Sequence, residues 1–76
     1  MTLRLEEVMH RLYVSEINCG MASFWDAGWH VWLGDEANGK KAEIYELNTA
    51  ADAAKWLHEQ AIKHYPRSQY AERYGS

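Results

Sequence analysis

Apolar side chains recur along this chain with two different periods, and the changes between them mark out its elements. Leu5, Val8, Met9 and Leu12 fall at i, i+3, i+4 and i+7, one stripe on a helix predicted from Leu3 to about Val14. Arg4, Glu7 and Arg11 take its wet side. Thr2 precedes it as N-cap, and Glu6 and Glu7 stand in the first turn, where carboxylates favour the helix dipole. From Ile17 the period shortens to two. A first strand is predicted over 17–25, with Gly20 marking a bulge or a close helix approach. A second covers 29–33 and reaches as far as Gly34.

Asp26-Ala27-Gly28 suits a three-residue hairpin loop in which the glycine adopts the left-handed conformation. A two-residue loop would instead put Ala27 at positive φ. The three-residue choice pairs Trp25 with Trp29, Phe24 with His30, Ser23 with Val31 and Met21 with Leu33. Asn38-Gly39 is a type I′ signal that starts a third strand. Counting back from it pairs Glu36 with Lys41, Leu33 with Ile44 and Trp32 with Tyr45. Both Gly28 and Gly39 are expected at positive φ.

The helical period then returns. Thr49 caps a helix that has Asp52 three residues on, a relative of the capping box. Ala50, Ala53, Ala54, Leu57 and Ala61 form a small-residue stripe bordered by Trp56 and Ile62. Lys55, Glu59 and Lys63 make a solvated face at i+4 spacing, and Pro66 stops the helix near Tyr65. Residues 68–74 are predicted to form a short third helix, capped by Ser68 and closed by Gly75, with Tyr70 and Tyr74 at i, i+4. The expected fold is α+β: a three-stranded antiparallel meander with both long helices on one face, in α-β-β-β-α order.

Alternation sorts the sheet residues into two sets. One holds Met21, Trp29, Val31, Leu33 and Ile44; the other holds Phe24, His30, Trp32, Tyr45 and also Leu47. Two helices can cover only one face of three strands. Phe24, His30, Trp32 and Tyr45 are therefore the candidate binding face, because exposed large aromatics on a sheet invite association. The alternatives are that 70–74 folds back over this face or that the two faces are swapped.

At 76 residues, 47% hydrophobic and 25% charged, the chain reads as one globular domain spanning 1–76, its core over about 3–65 and an extension over 66–76. A net charge of −3 argues against a grip on nucleic-acid backbone, and Lys40-Lys41 is the only adjacent basic pair. One cysteine rules out an internal disulfide and points to a reducing cytoplasm. The N-terminal residues do not read as a signal peptide, and no apolar run is long enough to span a membrane.

Candidate chemistry is sparse. His58-Glu59 begins like the zinc-protease H-E-x-x-H pattern, but Ile62 holds the second ligand position and His64 falls on another side of the helix. Cys19 has no neighbouring base and reads as a half-buried hydrophobe. Asp26, Asp35, Glu36 and Asp52 occupy turn and cap positions. No catalytic, metal or cofactor residues are assigned.

The α-β-β-β-α order over about Leu3 to Tyr65 resembles the double-stranded-RNA-binding domain. That resemblance implies a first-helix glutamate at Glu6 or Glu7, a hairpin histidine near His30, and RNA contacts for which Lys40 and Lys41 are the candidates. The family's basic run at the start of its second helix is replaced here by Asn48-Thr49-Ala50-Ala51-Asp52. The segment Trp56-Leu57-His58-Glu59-Gln60-Ala61, with Tyr65-Pro66 after it, is similar to that of small bacterial proteins of unknown function. The expected role is a non-catalytic interaction module that binds a protein, or a second copy, through the aromatic sheet face or the strand edge. RNA binding is the alternative, and a small cytoplasmic enzyme the third reading.

Overall fold

A computed structural model describes residues 3–35 and 40–75. The element order is α1 (Leu5–Val14), β1 (Cys19–Phe24), β2 (Gly28–Gly34), β3 (Lys40–Leu47), α2 (Ala50–His64) and α3 (Gln69–Tyr74). The three strands form an antiparallel sheet in the order β1-β2-β3, an α+β architecture with the long helices on one face. The expected Thr2 cap, the Glu36–Lys41 pair and the Asn38-Gly39 turn lie outside the described residues.

Helix α1 starts two residues later than the apolar stripe suggested, behind Arg4, which is extended and supplies no side-chain cap. The stripe itself holds: Val8 and Leu12 are fully buried. The helix ends in a Schellman-type turn. Ile17 N–H donates to Leu12 O at 2.9 Å and Glu16 N–H to Tyr13 O at 3.1 Å, while Glu16 itself takes φ 62. That turn drops Ile17 into the core, which is why β1 begins at Cys19 rather than at Ile17.

The first hairpin differs from the expected register by two residues. Phe24 pairs with Gly28, Ser23 with Trp29, Ala22 with His30 and Met21 with Val31. The turn is therefore Trp25-Asp26-Ala27, closed by Ala27 N–H donating to Phe24 O at 3.0 Å. Gly28 follows it at φ 81, where an added Cβ would meet Leu47 O at 2.7 Å. Its positive φ was legible; the strand pairs were not.

Strand β3 is also displaced by two. Leu33 pairs with Ala42 and Trp32 with Glu43, not with Ile44 and Tyr45. Two bulges punctuate the ladder. Between the Val31–Ile44 and Trp29–Leu47 pairs, β3 carries one extra residue, and Glu46 there adopts φ 64. Lys41 is the extra residue between the Leu33–Ala42 and Gly34–Lys40 pairs. The first bulge breaks the alternation, so Leu47 points inward against the core instead of joining the aromatic set.

Helices α1 and α2 cover the face that carries Val31 and Leu33, both fully buried. The alanines Ala53, Ala54 and Ala61 bring α2 close to the sheet, and Leu57 fills the space among them. Each fully buried valine or leucine contributes about 1.5–3 kcal/mol of transfer free energy. Thr49 Oγ1 accepts from Asp52 N–H at 3.1 Å, as the capping pattern predicts. Ser68 caps α3 from Ala71 N–H at 3.1 Å and donates to Tyr65 O at 2.8 Å, which ties α3 to the end of α2. The core does not stop at residue 65, because Tyr70 on α3 is fully buried.

Candidate functional site

The sheet face away from α1 and α2 carries Gly20, Ala22, Phe24, His30, Trp32, Glu43 and Tyr45. Two of its aromatics are exposed, Tyr45 at 60% and Phe24 at 53%; His30 and Trp32 are half-buried. Helix α3 does not lie over it. Tyr70 O–H is bonded to His58 Nδ1 at 2.7 Å, and Tyr74 lies under the Arg11 guanidinium at 4.3 Å. The C-terminal segment thus belongs to the helical layer, and the lid alternative is overturned.

His30 is the hub of the exposed face. Its ring stacks on Tyr45 at 4.1 Å with planes 6° apart, and lies 5.1 Å from the tilted indole of Trp32. The regular Trp32–Glu43 and Val31–Ile44 pairs bring Tyr45 opposite His30, and the bulge after it absorbs Glu46 so that Leu47 turns inward. His30 Nε2 meets Glu43 Oε2 at 3.0 Å, and Lys40 Nζ donates to the same oxygen at 3.3 Å. These two hydrogen bonds, His30 first and Lys40 second, hold the Glu43 carboxyl below the usual carboxylate range. Lys40 Nζ also lies 5.2 Å from the Trp32 ring centre, a cation–π distance.

Trp32 does a different job from Tyr45. Its indole lies across Gly20 on the neighbouring strand, so close that a Cβ there would sit 2.3 Å from the ring. Gly20 therefore accommodates a cross-strand indole, not a helix and not a bulge. The expected Trp32–Tyr45 pair does not form; the assembled row is Trp32, His30 and Tyr45. Phe24 stands apart at the hairpin end. There it joins Trp25, Trp29, Glu46 and Leu47 around an open depression of about 760 Å3.

Sequence reasoning missed Glu43, because a glutamate on an exposed strand position is unremarkable until a histidine is placed beside it. Lys40 is bound into the Glu43 pair, whereas Lys41 is exposed at the second bulge. Cys19 is half-buried, and burial pushes its thiol up, away from the reactive thiolate. Among the described residues no group of three or more His, Cys, Asp or Glu could hold a metal ion. No helix among them is long and apolar enough to cross a membrane. The arrangement offers stacking surface, a carboxylate and a hydrogen-bonding imidazole on an open face. No protein-family model matches the chain, and no curated protein or solved structure is significantly similar to it.

Proposed function

We propose that this chain is a non-catalytic binding module in the cytoplasm, which contacts a protein partner through its outer sheet face. The observation that carries this reading is the exposed Tyr45 ring stacked on His30 beside Trp32, on the face the helices leave open. Rigid aromatics with polar tips are the side chains that dominate protein-contact energetics. Glu43 and Lys40 supply a polar border.

The α-β-β-β-α order shared with double-stranded-RNA-binding domains makes duplex RNA the alternative. Two features weigh against it. No basic residue stands in 48–52, and Lys40 is already engaged by Glu43. Too few cations are left for a strong phosphate grip.

The test is a Phe24→Ser, Tyr45→Thr double variant, both positions being more than half exposed. Its thermal midpoint is expected to stay near that of the parent, while proteins captured by the parent are lost. Capture that survives the double change sinks the reading. Micromolar binding of a duplex RNA of about 16 base pairs at physiological salt, weakened by Lys40→Glu with Lys41→Glu, establishes the RNA alternative instead.

A further inference from the structure

The two edges of the sheet are built differently. Strand β3 is interrupted by two bulges and carries Lys40, Lys41, Glu43 and Glu46, devices that discourage pairing with another strand. Strand β1, Cys-Gly-Met-Ala-Ser-Phe, has no charge and no proline, and pairs with β2 in unbroken register. Gly34 N–H donates to Asn18 O at 2.7 Å. That parity makes Gly20–Trp32, Ala22–His30 and Phe24–Gly28 the pairs that exchange bonds with β2. Cys19, Met21 and Ser23 therefore turn their N–H and C=O groups outward, and among the described residues no backbone hydrogen bond closes this edge.

Exposed apolar groups flank both ends of that same edge. Tyr13 is 79% and Val14 52% exposed before β1; Phe24, its last residue, is 53% and Trp25, just after it, 99% exposed. We infer that β1 pairs antiparallel with β1 of a second copy, about a two-fold axis at Met21, to give a continuous six-stranded sheet. In that register Met21 faces the partner's Met21 and Cys19 faces the partner's Ser23, so every outward backbone group of the strand finds a match. Antiparallel pairing also sets the start of one strand beside the end of the other. The partner's Trp25 then comes opposite Ile17, at a depression of about 500 Å3 lined by Tyr13, Val14, Glu16, Ile17 and Asn18.

A two-fold interface uses each contact twice, so indole and depression are matched on both sides. The exposed portions of Tyr13, Phe24 and Trp25 amount to about 450 Å2 at roughly 200 Å2 per aromatic side chain, over half of the roughly 800 Å2 per partner of a standard interface. The strand edge and Val14 add to that. This contact shares only Phe24 with the outer face proposed above; Tyr45 belongs to that face alone and Trp25 to this edge, so either contact can hold without the other.

Sedimentation equilibrium of the full chain tests it. A mass twice the 8.8 kDa of the monomer is expected as concentration rises. Ser23→Pro removes only an outward N–H, which an edge strand tolerates, and Trp25→Glu alters a fully exposed residue. Each is expected to weaken the dimer at least tenfold with the circular dichroism spectrum unchanged, while Tyr45→Thr leaves it intact. Under oxidation Ser23→Cys is expected to cross-link through native Cys19 into a disulfide dimer, because the two Cα atoms sit about 5.5 Å apart across the axis. Within one chain those positions are about 13 Å apart along a strand and cannot bond. A monomer at all concentrations up to millimolar overturns the inference. So does a dimer that Tyr45→Thr dissolves and Ser23→Pro and Trp25→Glu leave untouched.

Discussion

Residue by residue, the outer face separates into groups that hold the sheet and groups free to meet something else. Trp32 covers Gly20 and borders Lys40, so its truncation would expose bare strand backbone as well as remove a ring. Tyr45 rests on His30 with most of its surface in water, and it is the better probe of binding. The charge state of this cluster is set by Glu43, whose lowered pKa comes first from His30 and then from Lys40. Whatever these bonds add to stability is present at neutral pH and is lost as pH falls through the carboxyl's depressed folded-state pKa. Following the Glu43 carboxyl by NMR, His30→Ala is expected to move its midpoint up toward the usual carboxylate value. A midpoint unchanged by that substitution would mean that the imidazole contact is absent in solution. Neither Glu43 nor the division of labour among the rings was legible in the chain. Both depend on which residue stands opposite which.

At the scale of elements, existence and, up to the bulge before Leu47, face were legible while register was not, and the reason is geometric. A strand shifted by two residues keeps every side chain on its original face. The alternation of Met21, Val31, Leu33 and Ile44 therefore specifies the sheet's two sides and is indifferent to the even displacement seen in both hairpins. Capping was legible where a short side chain supplies the acceptor, at Thr49 and Ser68. It was not legible at the end of α1, where the left-handed position that usually holds glycine is filled by Glu16. Glu16→Gly should consequently stabilise the protein by about 1 kcal/mol, the strain of a left-handed non-glycine residue less glycine's own entropy cost. Chemical denaturation would register the gain as a higher midpoint at unchanged slope. A lower midpoint would show that the Glu16 side chain contributes more than its backbone costs.

For the molecule as a whole, the C-terminal helix is part of the fold rather than an appendage. Tyr70 is the largest fully buried side chain, and its hydroxyl bonds His58 on α2. Burial pushes its pKa up to about 12 from an ordinary 10.0, so the folded state favours the neutral phenol. That preference is fully present below pH 10 and disappears as pH rises from 10 toward 12, where the unfolded chain ionises first. Unfolding free energies measured across this window should fall in the parent. In Tyr70→Phe they should start lower, for want of the His58 bond, and decline less steeply. Equal slopes in the two proteins would show that Tyr70 ionises as readily folded as unfolded. The bulge at Glu46 carries a different kind of consequence, one of chain length. Strict alternation carried through Glu46 would swing Leu47 into water; the bulge absorbs that one residue and returns Leu47 to the Trp29 side, so a chain lacking Glu46 would still turn Leu47 inward. Replacing it with glycine would instead relieve a strained backbone. What position 46 supplies is one unit of length, and the side chain it carries is incidental.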